Sequence, residues 1–378
     1  MRLAKMLKGT AAAAAFAVAA MPALAADYKL VVMQSLTGAA AFIGASIADG
    51  AVMAFNEMND NNFFGEGNKV VFEVADDATD RTQTLSLITR YAADLSVIAI
   101  MGPTSGAVAL AAAALANELS IPIVPTSNSH EIIERGKWSN ILTQPGDVTM
   151  PYISNYATDV LGVKSCAVIG IRDVESYVAL QRQFESIVTA KGVTLASVDG
   201  IAITDSDFSS LATRIANSDQ DCVFIGAPAS QGANIVIQLR QAGLDPSVRI
   251  IGHNAFSSPA FVSTGGAAVE GVFLMGSWVP GGFDDRSRDF AARFQAWKNV
   301  PADDWNAVGY SGAYVLATAL RNIMPDVTRE RFTEALVQVT DVPVVIGDGT
   351  YSFDDKRVPR FGMKVLMVQN GQFVEAPR

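Results

Sequence analysis

Residues 97–124 read VIAIMGPTSGAVALAAAALANELSIPIV, and this stretch decides the fold. Its first five residues are all apolar and stop at Gly102-Pro103, the pattern of a short strand covered on both faces. An Ala/Leu run of helix length follows at 107–119, and 121–124 is a second apolar strand. Strand, polar loop, helix and strand make a βαβ unit, which lays its two strands parallel.

The same rhythm extends in both directions. Upstream, a strand is expected over 28–33. A helix over 44–59 follows from the spacing of Ile47, Ala51, Val52, Ala54, Phe55 and Met58. Then come a strand over 70–74, the acidic loop Asp76-Asp77 and a helix over 81–95. A second series begins after about residue 148. It has strands over 166–170, 193–197, 222–226 and 249–252, with helices over 177–191 and 232–242. A further helix opens near Asp205-Ser-Asp-Phe208, with Ser206 or Asp207 as its N-cap. The chain therefore reads as two similar α/β lobes. Its 378 residues are more than one hydrophobic core ordinarily serves.

Composition narrows the function. Half the residues are hydrophobic and 17% are charged, which excludes a disordered chain. The formal charge of −10 argues against nucleic acid as a partner, because phosphate binding needs a basic footprint. Only two His, His130 and His253, and two Cys, Cys166 and Cys222, are present, so a His- or Cys-based metal centre has almost nothing to build from. No metal or other cofactor is expected. Asp76 and Asp77 read as solvated or capping acids rather than metal ligands. The segment from His130 to Glu134 reads as ordinary helix polarity. Each Cys opens an apolar strand and stands at the same offset from a strand-ending Gly. If the strands are neighbours the thiols lie side by side; buried free thiols are favoured over a disulfide, because neighbouring-strand geometry suits disulfides poorly.

The first 25 residues read as a secretory signal peptide. Arg2, Lys5 and Lys8 precede an uncharged apolar run over 11–20, and Ala23-Leu24-Ala25 is an A-x-A cleavage site. The apolar run is shorter than the roughly 20 residues a membrane span needs, so no membrane insertion is expected. Removing the segment takes the charge from −10 to −13. The expected compartment is the periplasm.

In parallel sheets, ligands bind beyond the carboxyl ends of the strands. Here those loops carry Ser, Thr, Asn, Gly and Tyr, with no G-x-G-x-x-G, phosphate-binding loop or nucleophile elbow among them. Thr104, Ser105 and Gly106 follow one strand, and Ser127, Asn128 and Ser129 the next. Hydroxyls and N–H groups at a helix start suit a carboxylate. Helix capping is the plainer account of either loop alone, and their pairing on consecutive strands points to a ligand site.

At these residues the chain resembles the periplasmic leucine/isoleucine/valine-binding proteins of ABC importers. The matching stretches are Leu36-Thr-Gly38 with Ile43-Gly44, Gly50-Ala-Val-Met-Ala-Phe-Asn-Glu57 and Asp76-Asp77-Ala-Thr-Asp80. Gly102-Pro-Thr-Ser-Gly106, Ile121-Pro-Ile-Val-Pro125, Asp207-Phe208, Glu270-Gly271 and Gly347-Asp-Gly-Thr-Tyr-Ser-Phe-Asp354 continue the match in order. The resemblance implies the type I binding-protein fold, two Rossmann-like lobes joined by a three-strand hinge. Residues 26–148 with 280–360 would form one lobe, and 149–279 with 361–378 the other. The crossovers would fall near 147–149, 277–281 and 358–362, and a last strand over 363–369 would return to the second lobe. It implies a monomer that delivers a small amino-acid-like or carboxylate-bearing ligand to a membrane ABC permease, and no enzyme. A sensory receptor component of the same fold and, behind it, a secreted enzyme are the alternatives.

By the same resemblance, Ser105 would bind the ligand carboxylate with Gly106 and Asn128 N–H groups, and Ser127 would line the clasp. Phe42, Ile43 and Tyr177 would pack on the ligand. The chain departs from the family where branched-chain binders hold the ammonium with a Tyr and a Glu: those places read Pro228 and Asn254. Asn254 offers no counter-charge for a buried ammonium, so the expected ligand keeps its carboxylate or similar polar head and lacks an α-amino group. His253 and Trp278 are expected near the same edge.

Overall fold

The computed structural model describes residues 27–377; the signal-peptide expectation for 1–25 lies outside them. The first series runs β1 (Asp27–Gln34), α1 (Ala41–Asp60), β2 (Lys69–Asp76), α2 (Arg81–Ala93), β3 (Val97–Met101), α3 (Gly106–Leu119) and β4 (Ile123–Val124). Its four strands form a parallel sheet in the order β2-β1-β3-β4. All five residues of β3 are buried, as a strand covered on both faces requires. Ala109, Ala112, Ala113 and Ala116 of α3 are fully buried, so the helix lies close on the sheet.

Two helices, α4 (Glu131–Glu134) and α5 (Gly146–Asn155), lead to the second series. It comprises β5 (Ser165–Ile171), α6 (Glu175–Ala190), β6 (Thr194–Ile201), α7 (Ser209–Ala216), β7 (Cys222–Gly226), α8 (Ala229–Gln241), β8 (Arg249–Ile251), α9 (Pro259–Gly265) and β9 (Phe273–Gly276). The chain then leaves this sheet through α10 (Asp285–Lys298), α11 (Asp304–Asn322) and α12 (Arg329–Leu336). A small antiparallel sheet follows, β10 (Val342–Pro343), β11 (Thr350–Phe353) and β12 (Pro359–Arg360). The chain comes back as β13 (Lys364–Gln369) and β14 (Gln372–Glu375). The second sheet has seven strands in the order β14-β13-β9-β8-β7-β5-β6; β5 through β9 are parallel, and β13 and β14 add to the edge antiparallel.

Helix α11 packs along α1. A Cβ at Gly50 would lie 2.0 Å from the Asn306 carbonyl oxygen, and one at Gly309 would lie 2.1 Å from that of Ile47. The two backbones touch at these glycines, and the Tyr310 hydroxyl donates to Glu57 at 2.6 Å. In this way residues returning from the second sheet complete the core over the first.

Three local expectations are corrected. Cys166 and Cys222 stand opposite each other on β5 and β7 and are bonded as a disulfide, with Cα atoms 4.3 Å apart. The exact register brings them within bridging reach, so the free-thiol reading is overturned. Neither Ser206 nor Asp207 caps α7. Gln238 accepts the Phe208 N–H and donates to the Ser206 carbonyl, so the helix starts at Ser209; Asp207 accepts that residue's N–H and hydroxyl. Helix α1 begins at Ala41 rather than 44, because Thr79 Oγ1 accepts the Ala40 N–H and the Ala40 carbonyl already accepts from Gly44. Phe42 and Ile43 are thus first-turn helical residues.

Candidate functional site

In both sheets the order of the parallel strands reverses beside the first strand of the series, between β1 and β3 and between β5 and β7. Loops leaving such neighbours diverge and open a crevice. The crevices of the two sheets face one cleft of about 330 Å³.

The first wall is built from the ends of β1, β3 and β4. A Cβ at Gly102, where φ is +137°, would lie 1.7 Å from the Met33 carbonyl oxygen, so only glycine lets β3 end against β1. Gln34 closes this junction. Its amide donates to the Met101 carbonyl at 3.0 Å and accepts from the Thr104 hydroxyl at 2.7 Å, and Thr104 Oγ1 in turn accepts the Ser35 N–H. Thr104 lines the cleft with its hydroxyl already engaged, and holds the loop that presents its neighbour. Ser105 is the N-cap residue of α3, yet its side chain makes no capping bond. Helix capping therefore does not account for this serine. Its hydroxyl lies beside the first turn of α3, whose leading N–H groups have no intrahelical partners. A Cβ at Gly106 would be 3.2 Å from Ser127 Oγ, which shows how closely the two loops converge. The Thr143 hydroxyl donates to the Ser127 carbonyl and fixes the second loop.

Asp76 and Asp77 organise the loop that leads into α1. Asp76 accepts the N–H groups of Leu36, Thr37 and Ala78 and the Thr37 hydroxyl, which hold its carboxyl below the usual range. Asp77 accepts the Ser35 hydroxyl and the Thr79 N–H, and burial pushes its carboxyl up. Among the described residues no group of three or more His, Cys, Asp or Glu is placed to hold a metal ion.

The second wall is built from side chains. Val174, Ser176 and Tyr177 come from the start of α6, Pro228 from the end of β7, and His253, Asn254 and Ala255 from the end of β8. The Tyr177 ring stands edge-on to His253, centroids 5.5 Å apart. Burial raises the Tyr177 phenol, which stays protonated. His253 is 2% exposed, and burial pushes its imidazole down. Its Nε2 lies 3.0 Å from the Ala227 carbonyl oxygen, while Nδ1 faces the Ala255 N–H at 3.4 Å and the Asn254 side chain at 3.2 Å.

All nine residues expected at the site, Phe42, Ile43, Thr104, Ser105, Gly106, Ser127, Asn128, Tyr177 and Asn254, line this one cleft, and so do Pro228 and His253. Trp278 does not; it packs on Phe290 beside a separate cavity of about 340 Å³. Trp305 was missed. Asp303 accepts the Asn306 N–H in a capping box, starting α11 so that Trp305 lies in the cleft wall, 8% exposed. It follows no strand, so a search of strand ends passes over it; the capping pattern from Asp303 to Asn306 was the available signal. Among the described residues that line the cleft, none is Asp, Glu, Lys or Arg. An adjoining hollow of about 390 Å³ shares Gly106, Asn128, Val174, Ser176 and Leu180 with the cleft and is lined also by His130, Glu131, Asp147 and Glu175.

Two α/β sheets with a neutral, donor-lined cleft at their switch points define a binding protein of the type I periplasmic fold. The chain belongs to the periplasmic binding protein family, whose pattern it matches over residues 27–372. It is 28% identical to the Leu/Ile/Val-binding protein BraC3 of Rhizobium johnstonii over 352 residues, 91% of this chain and 93% of the relative. Its fold matches the leucine-binding protein LivK of Thermotoga maritima with a TM-score of 0.83 at 21% identity, covering 93% of this chain and 98% of the other. It also matches an ABC-transporter solute-binding protein of Rhodopseudomonas palustris BisB5 in complex with 3,4-dihydroxybenzoic acid. That TM-score is 0.81 at 21% identity, over 92% and 95% of the two chains.

Proposed function

We propose that this protein is the periplasmic capture component of an ABC importer of the branched-chain-amino-acid type, and that its ligand is a small carboxylate without an α-amino group. The lobes, 26–148 with 280–360 and 149–279 with 361–378, close on the ligand about the three crossovers and present the closed form to a membrane permease. The observation that carries this reading is the charge-free cleft with the uncapped Ser105 at the start of α3. Helix N–H groups and a free hydroxyl favour an anion. An ammonium, by contrast, would be buried without a partner, at a cost of several kcal/mol. The Rhodopseudomonas relative's complex with an aromatic acid supports a ligand of this kind, and the amino-acid-binding names among the relatives give the competing one.

The test is a thermal-shift and calorimetric comparison of benzoate, 3,4-dihydroxybenzoate and isovalerate with leucine, isoleucine and valine. An acid at 100 times its dissociation constant should add about 2.7 kcal/mol of stability. Micromolar binding of leucine with no response to the acids would reject the ligand class while leaving the transport role standing.

A further inference from the structure

The contacts of His253 decide which way the Asn254 side chain points. Nε2 faces a carbonyl oxygen, which can only accept, so Nε2 carries the proton. Nδ1 faces the Ala255 N–H, which can only donate, so Nδ1 carries the lone pair. The opposite tautomer sets a lone pair against a carbonyl and an N–H against an N–H. The imidazolium would be a buried charge in a cleft lined by no acid. The carboxamide atom that faces Nδ1, at 3.2 Å, is assigned as the Asn254 Oδ1, an assignment that shape alone does not settle. An oxygen there would oppose two lone pairs, whereas the amide NH₂ completes a hydrogen bond. The two half-turn orientations of an amide have the same shape, and the hydrogen bond alone distinguishes them. The NH₂ is therefore held by His253, and the carboxamide oxygen is the end left for the cleft that Asn254 lines.

We infer that His253 is a positioning residue that turns the Asn254 carboxamide oxygen into the cleft, so that the second wall selects carboxylate ligands whose far end carries a neutral hydrogen-bond donor, a hydroxyl or an amide N–H. This deepens the functional reading above and rests on it for the carboxylate end. The first wall offers donors to an anion; the second offers an acceptor to a neutral group. Such a ligand is bifunctional, with a charged acceptor at one end and an uncharged donor at the other.

Two measurements separate this inference from the reading beneath it. The chain has only two histidines, so ¹⁵N-histidine labelling, with His130→Gln to assign the signals, reads the His253 tautomer in the unliganded protein. A protonated Nε2 with a bare Nδ1 at neutral pH is the expected result. A proton on Nδ1, alone or with one on Nε2, overturns the inference whatever ligands bind. The second measurement is calorimetry with benzoate, 3-hydroxybenzoate, 4-hydroxybenzoate and 4-methylbenzoate. At least one hydroxybenzoate should bind about tenfold more tightly than benzoate, the size of one hydrogen bond, and the methyl analogue should not share the gain. His253→Phe, which keeps an aromatic ring beside Tyr177, should collapse the ratio of hydroxybenzoate to benzoate affinity to about unity. An equal loss for every ligand would mean that His253 only supports the fold, and would overturn the inference. If none of the series binds, the carboxylate reading falls, and the tautomer result still decides the orientation of Asn254.

Discussion

The two walls of the cleft are made differently. The first takes its polarity from loop geometry: a helix start, a hydroxyl released from capping and two loops brought together at Gly106 and Ser127. The second takes it from side chains, with the Tyr177 ring edge-on to His253 and His253 in polar contact with Asn254. A wall of backbone groups holds a charge common to a whole class of ligands and leaves few atoms for a substitution to change. A wall of side chains can be rewritten one residue at a time. On the proposed reading, binding and discrimination fall to opposite sides of one cleft.

The junction of α11 with the end of β9 should give the largest effect. Asp304 of α11 is buried, accepts the Ser277 hydroxyl at 2.6 Å and carries a carboxyl pushed up by burial to about 7. Raised above its unfolded value, this carboxyl binds a proton in the folded state before the unfolded chain does. Its contribution is fully present below about pH 4 and is lost as the pH rises to about 7. A displacement of about three pKa steps corresponds to on the order of 4 kcal/mol. Thermal unfolding of Asp304→Asn against pH should lack that slope; an unchanged slope would mean that α11 and the end of β9 do not meet at a buried, protonated group.

Next in size is the first wall. Ser105→Ala removes a hydrogen bond to a charged group, worth about 1.5–3 kcal/mol, so the Kd of every carboxylate ligand should rise about 10- to 100-fold by calorimetry. An effect confined to some ligands would erase the division of labour. At the start of α11, Trp305→Leu should alter the ranking of ring against aliphatic acids by about fivefold, within what one hydrophobic-pocket change supplies. The smallest effect belongs to His253. Its imidazole is lowered, so its contribution is whole above about pH 6.5 and is lost on acidification towards the folded value. This slope is opposite in sign to that of Asp304. It should emerge in the melting curve of Asp304→Asn and vanish in the double variant with His253→Phe.

Much of the first wall was legible from sequence because it depends on strand ends, and strand ends are announced by apolar runs stopping at Gly or Pro. The residues from Gly102 to Gly106 could be placed without coordinates. The second wall was legible only residue by residue: Tyr177 and Asn254 came from resemblance, while the tautomer of His253 depends on a carbonyl 26 positions away. Trp305 could not be placed from its surroundings in the chain. It reaches the cleft because α11 returns from the far sheet, and periodicity does not report which lobe a helix rejoins. The disulfide was misjudged for a similar reason. The offsets of Cys166 and Cys222 from their glycines were visible, but the register between β5 and β7 that sets them face to face is a property of the sheet.

The glycine contact between α1 and α11 has a consequence for how this protein could be redesigned or could diverge. Phe42 and Ile43 stand at the tip of one helix and Trp305 at the tip of the other, and the backbones are seated against each other at Gly50 and Gly309. The three side chains behave as bits in one tool holder. Each can be exchanged for a new specificity while the holder keeps its angle, but a methyl group added at either glycine would tilt all three together and retune the cleft in a single mutational step.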